Sequence, residues 1–448
     1  MPTPAPRQRT RTAAPGRQSR RDQLALIAAG LFAQQGFHNV SVNDIAAAAG
    51  ISGPAIYRHF KNKQAILAHL VVGGLAQAAD IVERHLGDGA AREGAGGDGA
   101  APEGVSPAER LGAAHEELAA FVVGSPEFGV LWRREGRHLA AADAEEVTKA
   151  AARATVPLAA ALGELRPELH QGDAELLTWS ALSVFGSISD HRVRLPQTAL
   201  EDLLTAIALD VLAADVPAAR ERGGQSPAAQ PRAALLDSRR EQLLAVAAGL
   251  FWDRGYHAVT MEEIGAAAGI AGPSIYSHFG GKMELLQTVA NRIGEHLRQA
   301  VFQAQRADLE AGATLGLLAR SYVDTVTEHR DLVAAYFREG HNLPGRDRAE
   351  VRRFQQAYTQ YWVDLVAAVA PERSAKETRI RVHAAFALVN DIAQTKRFMA
   401  RPYLADDLHP LMLTVLLPGR SGTETGAENR NTAIDAAATK LPGVSDLH

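Results

Sequence analysis

The chain contains no cysteine, which excludes disulfide scaffolds, thiolate metal sites and cysteine nucleophiles. Aromatic residues make up only 6% of its 448 residues, and alanine supplies much of the apolar fraction, which favours helices over sheets. No uninterrupted run of about 18 apolar residues occurs, so the sequence predicts no membrane span. A global basic charge is also missing, because the net charge is −4. Any signal for nucleic-acid binding must therefore be local.

Targeting and enzyme signatures are missing too. The first 19 residues have no apolar segment of a signal peptide, so we expect a cytoplasmic protein. There is no G-x-S-x-G, P-loop or H-E-x-x-H motif. Gly94, Gly96 and Gly99 spell G-x-G-x-x-G, but a dinucleotide site needs a preceding strand and a following helix, so a low-complexity linker is favoured. We expect no enzyme activity, no cofactor and no metal.

An internal repeat organises the chain. Residues 20–67 align without a gap to residues 239–286, with 26 identities in 48 positions. A weaker match relates residues 111–139 to residues 315–343. The offset falls from 219 to 204 between the two blocks, so the first repeat carries about 15 extra residues in a Gly- and Ala-rich stretch.

Each repeat is predicted to begin with three short helices. Capping pairs open the first two helices of each repeat: Ser19/Asp22, Ser41/Asp44, Ser238/Glu241 and Thr260/Glu263. Third helices are predicted at about 54–60 and 273–279, each after a Gly-Pro pair. Two short helices joined by a glycine-containing turn predict helix-turn-helix motifs at 42–61 and 261–280, whose second helix reads the major groove of DNA.

Side chains around this turn are suited to DNA. Tyr57 and His59 offer a hydroxyl and an imidazole to phosphates, and Lys63 starts a helix whose amide end also suits a phosphate. The alternative is that Tyr57 and His59 merely pack the motif. Ile56 and Phe60 are expected in its core.

The segment from Gly36 to Lys63, with its G-F-H-x-V and G-P-x-I-Y-x-H-F-x-x-K motifs, resembles the DNA-binding domain of TetR-family transcriptional regulators, and it occurs twice. The resemblance implies an all-α fold of two tandem TetR-like units. Each unit would have a three-helix helix-turn-helix head and a helical ligand-binding and dimerisation body. Two such units in one chain imply an intramolecular pseudo-dimer, in which each unit gives two helices to a four-helix bundle.

The resemblance also implies roles for individual residues. Base-reading positions fall on Asn43, Gly53, Pro54 and Ala55, and phosphate-contacting positions on Ser41, Tyr57, His59 and Lys63. In the second repeat the corresponding residues are Glu262, Gly272, Pro273 and Ser274, followed by Thr260, Tyr276, His278 and Lys282. Arg58 and Lys61 add cations beside the first motif.

Composition and repeats together predict the division of the chain. Its parts are a basic disordered tail (1–18), head 1 (19–79), body 1 (80–214) with a flexible insertion (87–107), a linker (215–237), head 2 (238–298), body 2 (299–418) and a disordered tail (419–448).

The two heads differ in charge. Between the aligned limits, head 1 carries a net charge of +3 and head 2 one of −1. Ser277 and Gly280 replace Arg58 and Lys61, and Glu262 stands where Asn43 would read a base. Head 1 should therefore bind DNA more strongly, because phosphate neutralisation supplies most non-specific affinity. Head 2 either reads a cytosine through Glu262 or serves only as the dimer partner.

Polar and aromatic residues on the middle helices are candidates for a ligand pocket. They are Trp132, Arg134, Glu135 and His138 in body 1 and Phe337, Arg338, Glu339 and His341 in body 2. Asp190 and Asp391 recur in equivalent late helices. The alternative is an Arg–Glu pair on a solvated helix surface. Because Ala, Leu and Val dominate these helices, we expect an apolar effector such as a lipid or an acyl thioester.

The sequence thus predicts a DNA-binding transcriptional regulator, with repression as the family default. Its expected partners are a double-stranded operator in the form of an imperfect palindrome and a small apolar effector, with no membrane partner. Higher oligomers of the pseudo-dimer remain open. The alternative function is a helical interaction scaffold or ligand-binding module that binds no DNA.

Overall fold

The computed structural model describes residues 19–87, 105–216, 238–270 and 272–419, and every regular element in these ranges is helical. The predicted N-terminal tail lies outside the described residues. So do all but the first residue of the C-terminal tail, most of the insertion with its glycine motif, and most of the linker.

The first repeat contains nine α-helices in the ranges just given. They are α1 (Arg20–Gln35), α2 (Val42–Ala48), α3 (Gly53–Ile56), α4 (Lys63–Leu86), α5 (Pro107–Gly124), α6 (Pro126–Val130), α7 (Ala141–Leu165), α8 (Gln171–Gly186) and α9 (Gln197–Ala213). Short 3₁₀ turns connect some of them, at Phe37–Asn39, Gly136–His138 and Ser187–Asp190, and a π-helical turn spans Leu131–Glu135.

The second repeat follows the same order of elements. Its helices are α10 (Arg239–Arg254), α11 (Met261–Ala267), α12 (Lys282–Arg306), α13 (Ala311–Glu328), α14 (Arg330–Glu339), α15 (Gly345–Val369), α16 (Ala375–Gln394), α17 (Lys396–Met399) and α18 (Leu404–Leu416). A 3₁₀ turn, Gly272–Ser277, takes the place of α3, and another, Gly340–Asn342, follows α14.

Most of the predicted caps are present. Ser41 with Asp44, and Thr260 with Glu263, form complete capping boxes. The Ser238 box is only half formed: its hydroxyl accepts from the amide of residue 241, but the carboxylate of Glu241 binds Arg292 instead. Because the guanidinium is a stronger partner than a backbone amide, this carboxylate ties α10 to α12.

The third helices are shorter than predicted. Instead of helices over 54–60 and 273–279, the structure has the single turn α3 in head 1 and a 3₁₀ turn in head 2. After α3 the carbonyl of Ile56 accepts from both His59 and Phe60, at 2.8 and 3.0 Å. Mixed i+3 and i+4 bonds of this kind close a turn without extending the α-helix, and they place Phe60 in the core.

Two segments of body 1 change from α-helical geometry part-way along. The segment 126–140 divides into α6, the π-helical turn and a 3₁₀ turn, and the segment 174–194 leaves α-helical geometry after Gly186. Single π turns inside helices often occur at functional positions. Here the turn carries Arg133, which reaches into the second repeat.

Helix α4 qualifies the prediction about membrane spans. By length and composition it is apolar enough to cross a membrane, although polar residues interrupt its apolar stretch, and 44% of its most apolar window is buried. Such a helix is weak evidence for a span, because core helices of soluble proteins have the same composition. In this structure α4 packs against α1, α5 and α7.

The two repeats pack against each other through their last long helices. Helix α8 contacts α16, and α9 contacts α18. Ion pairs cross this contact, from Arg397 to Glu175 at 2.9 Å, from Arg381 to Asp210 at 3.7 Å and from Arg401 to Asp173. The apolar bundle and these ion pairs together fix one body on the other.

The apolar core is divided unequally between the heads. The core of head 1, with Phe32 and Phe60, forms a cluster of its own. From body 1, the only buried residues in this cluster are Leu131, Val147 and Ala150. The core of head 2, by contrast, is part of one large cluster that runs through both bodies. Head 2 is therefore more tightly continuous with the rest of the molecule than head 1.

Candidate nucleic-acid interface

Head 1 exposes most of its candidate DNA-contacting side chains around α2 and α3. The exposed ones are Ser41, Asn43, Pro54, Tyr57, Arg58 and Lys61, while Ala55 and His59 are half-buried. Ile56 and Phe60 are buried, as predicted for core residues. The segment thus separates a packed side from a side that is open to a partner.

Asn43 lies directly against the start of α3. A Cβ atom on Gly53 would stand 2.6 Å from Asn43 Oδ1, closer than side chains normally approach. Any larger residue at position 53 would displace this carboxamide. Glycine therefore allows the base-reading candidates of α2 and α3 to lie side by side.

The lysines at the start of α4 and α12 have partners within the protein. Lys63 Nζ donates to the carbonyls of Phe37 and Val40, at 2.6 and 2.8 Å, and lies 4.3 Å from the centre of the Phe37 ring. Burial lowers the pKa of Lys63. These bonds close the turn between α1 and α2 onto α4, and the contact of this ammonium with a phosphate stays a prediction.

Lys282 repeats this arrangement in head 2. Its Nζ donates to the carbonyls of Tyr256 and Val259, at 2.7 and 2.8 Å, and lies 4.5 Å from the Tyr256 ring centre. The hydroxyls of Ser41 and Thr260 are likewise engaged as N-caps of α2 and α11. Lys282, Ser41 and Thr260 thus form contacts that hold the helices of their heads together.

Two cations of head 1 are without ion-pair partners among the described residues. Arg58 and Lys61 are exposed, and no acidic side chain in the described ranges pairs with either. Arg21 lies 4.9 Å from the ring centre of Phe60, just beside them. Head 1 therefore offers free positive charge next to its reading turn.

In head 2, the candidate base-reading residue Glu262 and the candidate phosphate-contacting residue Tyr276 bind each other. Tyr276 Oη donates to Glu262 Oε1 at 3.1 Å, and this hydrogen bond raises the pKa of Tyr276. Ser274 is exposed and His278 half-buried, and Gly272, Pro273 and Ser274 form the start of the 3₁₀ turn. Glu262 thus holds the hydroxyl whose counterpart in head 1, on Tyr57, makes no hydrogen bond to the described residues.

Two cations of head 2 are paired with neighbouring carboxylates. Arg254 pairs with Glu263 at 2.7 Å. Arg240 pairs with Glu284 at 3.5 Å, stacks 4.0 Å from the ring centre of Phe279 and donates to the carbonyl of His278. Head 2 therefore offers fewer unpaired cations than its sequence suggests.

The heads touch each other at matching positions. The rings of His38 and His257, which occupy equivalent places in the two repeats, lie 5.7 Å apart. His38 also meets His138 at 4.3 Å, and His257 Nε2 lies 2.7 Å from Asn342 Oδ1. Sequence reasoning missed this contact, although both histidines are among the repeated residues.

Family models match the chain in three places. The model described as "Bacterial regulatory proteins, tetR family" matches residues 27–70 and again residues 243–289. The model described as "Tetracyclin repressor-like, C-terminal domain" matches residues 308–394. The chain belongs to the TetR family. This membership places it among regulators and not among enzymes.

Curated relatives of this TetR-family chain include an activator and a repressor. The HTH-type transcriptional activator FasR of Mycolicibacterium smegmatis is 32% identical over 130 residues, which are 29% of this chain and 59% of FasR. The HTH-type transcriptional repressor KstR2 of Rhodococcus jostii is 26% identical over 185 residues, or 40% of this chain and 90% of KstR2. The chain thus spans about three fifths of the FasR length.

A solved structure with a similar fold is titled "Structure of ketosteroid transcriptional regulator KstR2 of Mycobacterium tuberculosis". It is 20% identical in sequence, and the match covers 42% of this chain and 97% of that chain with a TM-score of 0.38.

Two cavities lie in the bodies of this TetR-family chain. Cavity 1, in body 1, has a volume of about 380 Å³, and cavity 2, in body 2, about 370 Å³. Both fall in the range of pockets that hold small ligands. They share four lining residues at the contact between the repeats: Arg133, Arg338, Asp391 and Gln394.

Only some of the predicted pocket residues line the two cavities. Trp132 lines cavity 1, Phe337 lines cavity 2 and Arg338 lines both. Glu135 and Glu339 line neither, and neither does His138, so their prediction as pocket residues is corrected. The two glutamates are buried, with Glu135 Oε2 3.6 Å from His138 Nε2 and Glu339 accepting from Asn342 at 2.8 Å.

The His138 ring stacks on Phe37 of head 1, with ring centres 5.4 Å apart, so it faces the head and not cavity 1. Burial also excludes the alternative of a solvated Arg–Glu surface pair for the two glutamates. The side chains of Arg134 and His341 lie outside what the structure describes.

Arg133 joins the two repeats between the cavities. Its guanidinium binds Asp190 at 2.7 Å and Asp391 at 2.9 Å, and it donates to the carbonyl of Gly186 at 3.0 Å. Burial alone would lower the pKa of Arg133, but the two carboxylates outweigh it and raise the pKa. The recurring pair Asp190 and Asp391 was visible in the sequence, whereas their shared arginine was not.

Proposed function

We propose that this chain is a transcriptional repressor that binds one DNA operator with its two heads and releases it when a small apolar molecule occupies a body cavity. The observation that carries this proposal is the doubled TetR-family head, exposed around α2 and α3 and around α11 and its following turn. The action would take place in the cytoplasm, on the chromosome.

The chain would act as an intramolecular pseudo-dimer. Packing of α8 and α9 on α16 and α18 supports this, because it joins the bodies of the two repeats, and with them the two heads, within a single chain. We assign the heads to residues 19–79 and 238–298 and the bodies to 80–214 and 299–418. Half-sites in such systems lie about one helical turn apart, roughly 34 Å.

The operator would be an imperfect palindrome. Asn43 of head 1 and Glu262 of head 2 occupy the same reading position but have opposite preferences, since a carboxamide pairs with adenine and a carboxylate accepts from cytosine. Head 1 would supply most of the phosphate contacts through Arg58 and Lys61, assisted by Tyr57 and His59.

Genome-wide footprinting of the purified full-length chain tests the proposal. We expect protection of a few promoter segments, each containing two unlike half-sites, and an affinity that falls linearly with the logarithm of salt concentration. Protection of a perfect palindrome by two chains, each using head 1, would contradict the pseudo-dimer. A chain that protects no fragment even at low salt would instead be the helical scaffold or ligand-binding module.

A further inference from the structure

Cavity 1 is built by both repeats. Its walls are apolar and come from body 1 and from helix α4 at the end of head 1, with Leu75, Leu118, Phe121, Trp132 and Trp179 among the lining residues. One end is closed by the second repeat, which supplies Trp252, Arg338, Asp391, Gln394 and Thr395. Trp252 is on α10, the first helix of head 2. A molecule that fills body 1 would therefore touch the DNA-binding head of the other repeat.

Trp252 is coupled to the body by a close stacking contact. The guanidinium carbon of Arg338 on α14 lies 3.7 Å from the centre of the Trp252 ring, and Arg338 Nη2 donates to Gln394 on α16 at 3.3 Å. Such cation–π contacts hold an aromatic ring in place when they are partly desolvated. One chain of contacts thus runs from the cavity end into the first helix of head 2.

Head 1 meets cavity 1 through Leu75 and Ala78 on α4, and none of the residues that line this cavity is on its first helix, α1. The residue equivalent to Trp252 in the first repeat is Ala33. Cavity 2 is lined by residues of the two bodies and by Leu297 near the end of head 2, and none of its described lining residues belongs to the helix-turn-helix motif of either head.

The lining also restricts the ligand. Apart from its inter-repeat end, cavity 1 offers aliphatic and aromatic surface, which suits an extended apolar body. Arg133, Arg338 and Asp391 line the polar end, and Asp190 binds Arg133 from outside the lining, so these four groups together carry no net charge. An uncharged end that can form hydrogen bonds fits this balance.

We infer that cavity 1 is an effector site for a lipid-like molecule with one uncharged hydrogen-bonding end, and that head 2 senses its occupancy through Trp252 and Arg338. Only the regulatory role of the ligand rests on the proposed function, because ligand binding and its effect on α10 are measurable without DNA.

Isothermal titration with dodecan-1-ol and, separately, with dodecanoate tests the ligand class. We expect the full chain to bind dodecan-1-ol, and Trp252→Ala, which installs the residue of head 1, to weaken this binding by about three- to tenfold. Phe302→Ala is the matched control, because Phe302 is an exposed ring beside Arg306, 5.7 Å away, and lines neither cavity. We expect it to leave the binding unchanged. No binding of dodecan-1-ol, or binding of dodecanoate alone, would overturn the inference about the ligand.

Amide hydrogen exchange with and without dodecan-1-ol tests the coupling. We expect slower exchange in α10 on binding, little change in α1, and loss of the α10 response in Trp252→Ala. Arg338→Gln gives the same test by a second route if the first variant does not fold. A response confined to α1 and α4, or an α10 response that survives both substitutions, would overturn the coupling. A chain that binds no DNA but shows these changes would refute the proposed function and leave the ligand site standing.

Discussion

The two heads share more than half of their aligned residues and the same set of turns, yet their polar side chains have different partners. In head 1, Arg58 and Lys61 have no ion-pair partner in the described ranges, and the Tyr57 side chain is 57% exposed. In head 2 the corresponding tyrosine binds Glu262. A duplicated domain can thus change its task while its apolar core and its caps stay the same.

The cores indicate what the second task is. Head 2 shares its core with both bodies and places Trp252 at cavity 1, whereas head 1 has a cluster of its own. We therefore propose that head 1 supplies more of the affinity for DNA and that head 2 transmits the state of the bodies. The predictions below test this division, beginning with positions where the heads should behave alike.

The largest effect is expected from Lys63→Met and Lys282→Met, and it should be equal in the two heads. Each ammonium donates two hydrogen bonds to carbonyls, and losing charge-assisted bonds of this kind costs about 2–4 kcal/mol. Amide exchange of α1 and α10 would report the free energy of opening each head. If Lys63→Met leaves this free energy unchanged and weakens only DNA binding, Lys63 acts in phosphate contact and does not stabilise head 1.

A second effect should separate the heads. Arg58→Ala combined with Lys61→Ala removes two free cations, so the slope of log affinity against log salt should fall by about two units. Arg240→Ala in head 2 is the control, because this cation is already paired with Glu284 and should change the slope much less. Equal changes in the two variants, measured by a salt series of gel shifts, would show that pairing in head 2 does not suppress DNA contact.

Local sequence was sufficient to predict the elements that depend on neighbours in the chain. The capping box of Ser41 and Asp44 is one example, because its partners are three residues apart. The break of α10 from α11 at Gly255, with φ of +83°, is another, since that backbone conformation favours glycine. The reading turn itself was therefore correctly located, apart from the length of its third helix.

Features that depend on distant segments could not be predicted in the same way. Arg133 and Asp391 are 258 positions apart, and only the packing of the bodies brings them together. Lys63 was assigned to phosphate because its place at a helix start suits an anion, but nothing local shows that two carbonyls from the preceding turn lie within its reach. The sequence around Trp252 gives no sign of its place at a cavity, since a lone aromatic residue on a helix is usually part of the core.

A third and smaller difference concerns base preference. Asn43→Ala and Glu262→Ala should each relax discrimination by about 1–3 kcal/mol, but at different half-sites, with the slope against salt nearly unchanged. Competition binding with operators mutated in one half-site at a time would assign each residue to its half-site. Loss at the same half-site in both variants would indicate that only one kind of head contacts the bases.

The smallest effect is expected from single hydroxyl groups. Tyr57→Phe should weaken operator binding by about 0.5–1.5 kcal/mol, the usual worth of one hydrogen bond, because this hydroxyl is free to reach a phosphate. Tyr276→Phe should have less effect, because its hydroxyl already donates to Glu262 at 3.1 Å. The test is a double-mutant cycle: in a Glu262→Ala background the hydroxyl is released, and Tyr276→Phe should then cost as much as Tyr57→Phe. If Tyr276→Phe costs the same with and without Glu262, the hydrogen bond between them does not withhold this tyrosine from DNA, and the difference between the heads must come from charge alone.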